Sequence, residues 1–357
     1  MIGAAQLSAQ DIHFSQFYLS PLNLNPAMTG VMNCNARLVA NYRNQWSSIL
    51  KNNAFNTYSV SYDHKIPVGR YDYFGIGGVF WGDRAGEVDF ATVTGKITGS
   101  YSKRMGGYRS RSHYLVVGAE GGFAQRSIDF LKIRWGNQND PSNPGTFNGD
   151  LPSGEENIFD RTNFTFADMA AGLLWFSNLD RDNSIYLGGA FHHLNRANQS
   201  FDSEEEDFLY SRYTIHGGGE FSGRQVGLLP GFIVMIQGPS MEINAGTSLR
   251  FLLGNGRFST QSFQLGLWSR LSNRYRGIVT DPTNPDDPIS ESGGGMLMDA
   301  LIASTRFDYN EFSLGFSYDL NTSQLAKAAT SGNGSFEFSL IYKFCGNEKR
   351  GVYCPNF

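Results

Sequence analysis

Six histidines, three cysteines and a scatter of acidic residues are the groups in this sequence that could do chemistry. His216-Gly217-Gly218-Gly219 has the form of a lipase oxyanion-hole motif, in which backbone N–H groups of a glycine run stabilise a tetrahedral intermediate. No Gly-x-Ser-x-Gly nucleophile elbow accompanies it, and a glycine run in a strand reads as a bend or as close packing against interior side chains. His192 and His193 are adjacent. Neighbours in a strand point to opposite faces, so they are expected as separate wall residues rather than as joint metal ligands. Cys34, Cys345 and Cys354 lack a zinc spacing and are too few for a disulfide scaffold. In an oxidising compartment a Cys345–Cys354 disulfide closing a small loop in the tail is expected, with Cys34 as the rival partner. P-loop, dinucleotide, Cys-x-x-Cys and zinc-protease motifs are absent. No catalytic residue, metal site or cofactor is expected.

The elements that would position any site follow from composition and pattern. The 357 residues include 42 Gly, 28 Phe, 17 Tyr and 5 Trp, with only 17% charged. That is too aromatic for disorder and too short of Leu, Ala and Lys for a helical bundle. No run approaches 18 apolar residues, so no helix crosses a membrane. A net charge of −4 and a pI near 5.9 give no reason to expect nucleic acid. Residues 1–9 read as the tail of a signal peptide, with Leu7-Ser8-Ala9 as its cleavage pattern.

Alternation of period two recurs throughout. Phe336, Phe338, Leu340, Tyr342 and Phe344 share one face, against Glu337, Ser339 and Lys343 on the other. Tyr58, Val60 and Tyr62 oppose Thr57, Ser59, Ser61 and Asp63 in the same way. Segments of this length with charges on the polar face suit tilted strands between lipid and a polar lumen. Fourteen are predicted, near 36–43, 54–64, 72–83, 88–102, 112–126, 165–177, 184–194, 211–222, 225–237, 241–252, 260–272, 297–308, 311–320 and 334–345. The long connections, 44–53, 127–164, 195–210, 273–296 and 321–333, all follow odd-numbered strands, as the long outer loops of an outer-membrane barrel do. The expected fold is therefore all-β: a closed antiparallel transmembrane β-barrel over 35–345, an N-terminal periplasmic segment or plug over 10–34, and a short periplasmic tail over 346–357. Asp140-Pro141-Ser142-Asn143-Pro144-Gly145 and Thr283-Asn284-Pro285-Asp286-Asp287-Pro288 are expected as loops, as is the acidic run 202–207. The lumen-facing charges Asp63, Lys96, Glu120, Glu242, Arg250, Arg270, Glu337 and Lys343 carry both signs. They suit either an open pore or a packed interior.

Several blocks carry a resemblance. Gln10-Asp11-Ile12-His13-Phe14-Ser15-Gln16-Phe17-Tyr18, then Leu22-Asn23-Leu24-Asn25-Pro26-Ala27-Met28-Thr29-Gly30, resembles the mature start of the PorP/SprF family. Asn41-Tyr42-Arg43-Asn44-Gln45-Trp46, Asp83-Arg84-Ala85-Gly86, Gly315-Phe316-Ser317-Tyr318-Asp319 and Cys354-Pro355-Asn356-Phe357 add to it. The resemblance implies a non-enzymatic outer-membrane barrel of the type IX secretion and gliding apparatus, in a Gram-negative bacterium. Its implied partners are periplasmic ring components and an exported surface adhesin that it helps export or hold.

On the strand count, Arg43, Asn44, Trp46, Asp83, Arg84 and Asp319 fall at strand ends on the long-loop side. They are expected either to pair with one another and fix the barrel mouth or to form an extracellular collar for an exported protein's C-terminal domain. By the same parity Tyr18, Pro21, Asn25 and Pro26, with Cys354 and Pro355 of the tail, are expected to plug the lumen, pack beneath the barrel or engage periplasmic machinery. The alternative function is an outer-membrane channel for small or hydrophobic solutes, of the fatty-acid-uptake kind.

Overall fold

The computed structural model describes residues 11–108, 111–133, 135–139, 146–152, 161–180, 182–202, 206–253, 261–273, 278–281, 284–291, 295–322, 334–346 and 354. The strands are β1 (Ala36–Gln45), β2 (Phe55–Val68), β3 (Asp72–Ala85), β4 (Phe90–Tyr108), β5 (Arg111–Ser127), β6 (Asn163–Asn178), β7 (Asn183–His192) and β8 (Arg212–Ser222). They continue with β9 (Val226–Gln237), β10 (Ser240–Leu253), β11 (Gln261–Asn273), β12 (Ile278–Asp281), β13 (Asn284–Glu291), β14 (Met296–Tyr309), β15 (Phe312–Asn321) and β16 (Ser335–Phe344). Fourteen of these close into an antiparallel barrel in which each strand pairs with its chain neighbour. The ribbon β12–β13 stands apart, so β11 pairs with β14, and β1 pairs with β16 from Ala36↔Phe344 to Gln45↔Ser335 to close the ring.

Alternation fixes the two faces. In β4, Ile97 is 72% exposed while its neighbour Lys96 is 8% exposed. One points into the lipid belt and the other into an enclosed lumen. Tyr58, Val60, Tyr62, Phe338, Leu340 and Phe344 lie on the outer face.

All fourteen predicted barrel strands are present, with β4 running on to Tyr108 instead of stopping near 102. One expected loop is not a loop. Asn284–Pro288 belongs to β13, in a two-stranded ribbon where every position is an edge and proline is tolerated. Asp140–Gly145 lies outside the described residues, as do 203–205 of the acidic run. The base of that acidic loop is held by the bridge Asn198↔Phe208.

The cysteine pairing is also corrected. The disulfide joins Cys34 to Cys345, with Cα atoms 4.4 Å apart, and Cys354 is a buried free thiol. The pairing follows from closure: Cys34 lies just before β1 and Cys345 just after β16, and those two strands are neighbours in the ring. Denatured without reductant, the protein is expected to take up a single thiol label, mapping by mass spectrometry to Cys354. In Cys345→Ser the labels should lie on Cys34 and Cys354. A label on Cys34 in the unreduced wild type would contradict the pairing.

Candidate functional site

A barrel with a polar inner face must either hold water or fill itself. Here the fill is residues 11–34. This segment has no strand periodicity. It folds into short turns, Phe17–Leu19, Pro21–Leu24 and Pro26–Met28, whose prolines start helical turns without needing an N–H. Asp11 meets β8, β9 and the chain after β7 at the long-loop mouth, and Asn35 pairs with Phe344 and Lys65 at the short-turn mouth. The segment therefore crosses the lumen from end to end. The expectation that 10–34 shares the side of the short turns is corrected, because its described beginning lies at the opposite mouth. Tyr18, Pro21, Asn25 and Pro26 all sit inside the barrel, and Pro355 lies outside the described residues.

Three clamps hold it. At the long-loop mouth the Asp11 N–H donates to Gln237 Oε1 (3.0 Å), and its carboxylate pairs with Arg212 (3.2 Å) and His193. The other nitrogen of His193 meets Asp168 (2.9 Å), which pairs with Lys96 (2.7 Å), and Lys96 pairs with Glu120 (2.9 Å). Burial alone would lower the His193 pKa, but Asp11 and Asp168 overcome it and raise the value to about 9. Burial would raise Asp11, yet His193 and Arg212 hold its carboxyl well below the usual range.

The second clamp joins Arg43 and Arg270 to Glu337 and Asp319, with Asp299 also pairing with Arg270 (2.9 Å). Glu337 accepts from the N–H groups of Ser15 (2.6 Å) and Gln16 (3.0 Å), buried donors that the first turn does not itself satisfy. Asp319 accepts from the Ser15 hydroxyl (2.6 Å) and from Arg270 (2.9 Å). Arg43 donates to the His13 carbonyl (2.8 Å) and pairs with Glu337 (3.2 Å) and Asp319 (3.5 Å). Removing one member of such a buried set costs about 3–5 kcal/mol, because the opposite charge is left stranded.

The third clamp lies toward the short turns. Arg37 pairs with Asp63 (2.9 Å), and Asp63 accepts from the Gly30 N–H (2.8 Å). Asn33 exchanges two hydrogen bonds with the backbone of Cys354 (2.9 and 2.7 Å), which ties the tail to the plug. Between the clamps, Phe17, Leu24, Ala27, Met28 and Val31 pack against apolar wall residues such as Val116, Leu174 and Ile302.

The wall is cut to fit. A Cβ at Gly118 would sit 2.5 Å from Ala27 Cα, and one at Gly315 would sit 2.5 Å from Leu19 Cδ1. Opposite the middle of the plug, Asn25 donates to the Leu173 (3.0 Å) and Gly189 (3.2 Å) carbonyls and contacts His216 at 3.0 Å. His216 of the glycine run is thus a plug contact.

The collar residues separate. Arg43 and Asp319 are buried in the second clamp because alternation turns them inward, whereas Asn44 lies on the outer face with Tyr42 and is covered through its hydrogen bond to Asn56 (2.7 Å). Asp83 accepts from Thr57 (2.5 Å), Arg84 pairs with Asp89 on the surface, and Trp46 packs on Phe55 at 5.1 Å. They do not form one exposed ring. The two histidines also depart from expectation: His192, the last residue of β7, faces inward by alternation, and a positive φ of 57° at His193 turns its ring inward as well. Among the described residues no cluster of His, Cys, Asp or Glu has the geometry to hold a metal. Sequence reasoning missed Asp11, Asp168, His193 and Arg212. They lie on the plug, β6, the chain just after β7 and β8, and share no local sequence signal.

Gly118→Leu should expel the plug, giving new protease cleavage within 11–34 in a barrel that keeps its β-sheet circular dichroism. His193 stabilises the upper clamp fully below its ordinary value near 6.5, and loses that contribution as pH rises through about 9. The amide-exchange protection factor at Asp11–His13, taken against the intrinsic rate at each pH, should fall over that window in the wild type and show no such step in His193→Gln.

The chain matches the family described as type IX secretion system membrane protein PorP/SprF over residues 6–342. No curated protein matches it in sequence. Among solved structures it is similar to the TodX monoaromatic hydrocarbon channel (deltaS2 mutant), at 10% identity and TM-score 0.44, covering 92% of this chain and 94% of that one. CdiB from Acinetobacter baumannii shares 9% identity at TM-score 0.44, covering 87% of this chain and 60% of CdiB. A bacterial polysaccharide outer membrane secretin shares 10% identity at TM-score 0.35, covering 88% and 99%. A match along nearly its whole length, on a closed barrel of fourteen strands, places this chain in the PorP/SprF family of type IX secretion system membrane proteins.

Proposed function

We propose that the protein is a non-enzymatic, permanently plugged outer-membrane barrel that helps export or hold a surface protein of the adhesin kind. Its long loops face outward, and its short turns and Cys354-Pro355 tail face the periplasmic secretion and gliding components. The observation that carries this reading is the plug, which fills the lumen from mouth to mouth and is clamped by buried charges at several levels. An anchor requires a rigid body, whereas a solute channel requires the same space to be clear. The exported partner's C-terminal domain docks on the outer rim, where Arg84 and Trp46 are the accessible members of the collar.

In planar bilayers the wild type should stay closed, and the Arg43→Ala, Arg270→Ala double variant should show fluctuating conductance. In native membranes Arg84→Glu combined with Trp46→Ala should lose the co-purifying surface protein while the barrel remains folded and closed. Steady solute-selective conductance in the wild type would favour the channel reading instead.

A further inference from the structure

Positive charge gathers at one part of the short-turn rim. Residues 103–111 hold Lys103, Arg104, Arg109 and Arg111 without a single acid, and Arg70 stands in the neighbouring turn between β2 and β3. Here β4 continues to Tyr108 although its last register pair with β3 is Tyr73↔Ser102, so its edge beyond Ser102 is open. That edge is blunted against another strand. The Arg104 N–H donates to Asp72 (3.0 Å), and a bulge leaves Met105 out of the pairing with β5. The Arg104 side chain donates to the Gly106 (3.4 Å) and Gly107 (2.7 Å) carbonyls. A partner at this rim is therefore recognised by side chains and not by strand addition.

Those side chains are held ready. Arg104 lies over the Tyr71 ring at 4.1 Å, and Arg70 lies over the same ring at 5.2 Å. Among the described residues neither guanidinium is paired with a carboxylate. Two like charges on one ring repel, and an incoming anion relieves both. Stacking also fixes the planar fork of Arg104, so little freedom is lost when a carboxylate engages it. Tyr71 is 43% exposed and Met105 62% exposed. Arg, Tyr and Met are side chains that concentrate in protein interfaces. Alternation decides between protein and membrane. Arg104 shares the inner face with its cross-strand partner Tyr114, whose hydroxyl donates to the Tyr71 carbonyl (3.3 Å). The lipid side holds Tyr101 and Lys103, which donate to Asp72 (3.0 and 2.7 Å), so the lysine's charge is already met. The unpaired guanidiniums thus face the open mouth and not lipid headgroups.

We propose that Arg70, Tyr71 and Arg104 form a docking surface for an acidic segment of a soluble protein on the short-turn side. Carboxylates of that segment accept from the two guanidiniums, and Met105 adds an apolar contact beside them. The inference rests on the reading above that the short turns face the periplasm, and it names where and by what chemistry a periplasmic component is held.

In living cells, the photocrosslinker p-benzoylphenylalanine placed at Met105 should capture a soluble protein through a segment rich in Asp and Glu, mapped by mass spectrometry. Arg70→Glu with Arg104→Glu should lower the yield about tenfold, the size of one interfacial charge pair. Exchanging the mapped carboxylates for Lys should restore it. Folding is read from heat-dependent gel mobility. Because the Arg104 side chain also ties Gly106 and Gly107, Arg70→Glu alone tests the surface if the double variant does not fold. Capture of lipid only, capture through a segment without acidic residues, or a yield indifferent to charge reversal would overturn the proposal. Orientation is read separately. Met105→Cys should resist a membrane-impermeant maleimide on intact cells and react once the outer membrane is permeabilised. Labelling on intact cells would overturn the periplasmic reading of this side and the proposal with it. An unlabelled Met105→Cys without acidic capture would overturn the docking surface alone.

Discussion

Hydrocarbon offers no hydrogen bonds, so every backbone N–H and C=O within it must find a partner in the chain itself. This constraint requires β1 to meet β16, and the rest of the molecule follows from that closure. Once the ring is shut, period-two alternation leaves one face for lipid and drives the other inward. The inward face carries Arg37, Arg43, Asp63, Lys96, Glu120, Arg270, Asp319 and Glu337, all buried. Ions withdrawn from water are costly unless they are paired and fully hydrogen-bonded. The ring therefore creates a demand for polar groups that its own strands only partly meet.

The plug supplies the remainder. Its turns bring backbone donors to Glu337 and Asp63 and carbonyls to Arg43, so charges on the wall are satisfied by main chain as well as by one another. Wall and plug specify each other sterically too: Gly118 and Gly315 are the places where a side chain would collide with Ala27 or Leu19. Such mutual fit makes the filled barrel one cooperative body. It also explains the aromatic and glycine content, with rings on the lipid side and missing side chains where the plug presses.

Most of the fold was legible in the sequence because strand alternation and loop parity are local signals. The inward direction of Arg43 was legible as well, since Tyr42 beside it belongs to the outer face, but its place at a strand end suggested a rim. The plug was only partly legible. Residues 11–34 have no periodicity, and their partners come from strands hundreds of residues away, such as Glu337 and Asp319. The disulfide misled for the same reason. Cys345 and Cys354 are near in sequence, whereas Cys34 comes close to Cys345 only through ring closure. His193 was misjudged because alternation ends where the strand does, and its left-handed backbone reverses the expected side.

The bridge between Cys34 and Cys345 ties the point where the chain enters the barrel to the point where it leaves. The plug and the tail are thus two arms joined by a short covalent path that bypasses all fourteen staves. Tension applied between the two mouths would travel along that path, so the wall could stay intact while the molecule bears a mechanical load.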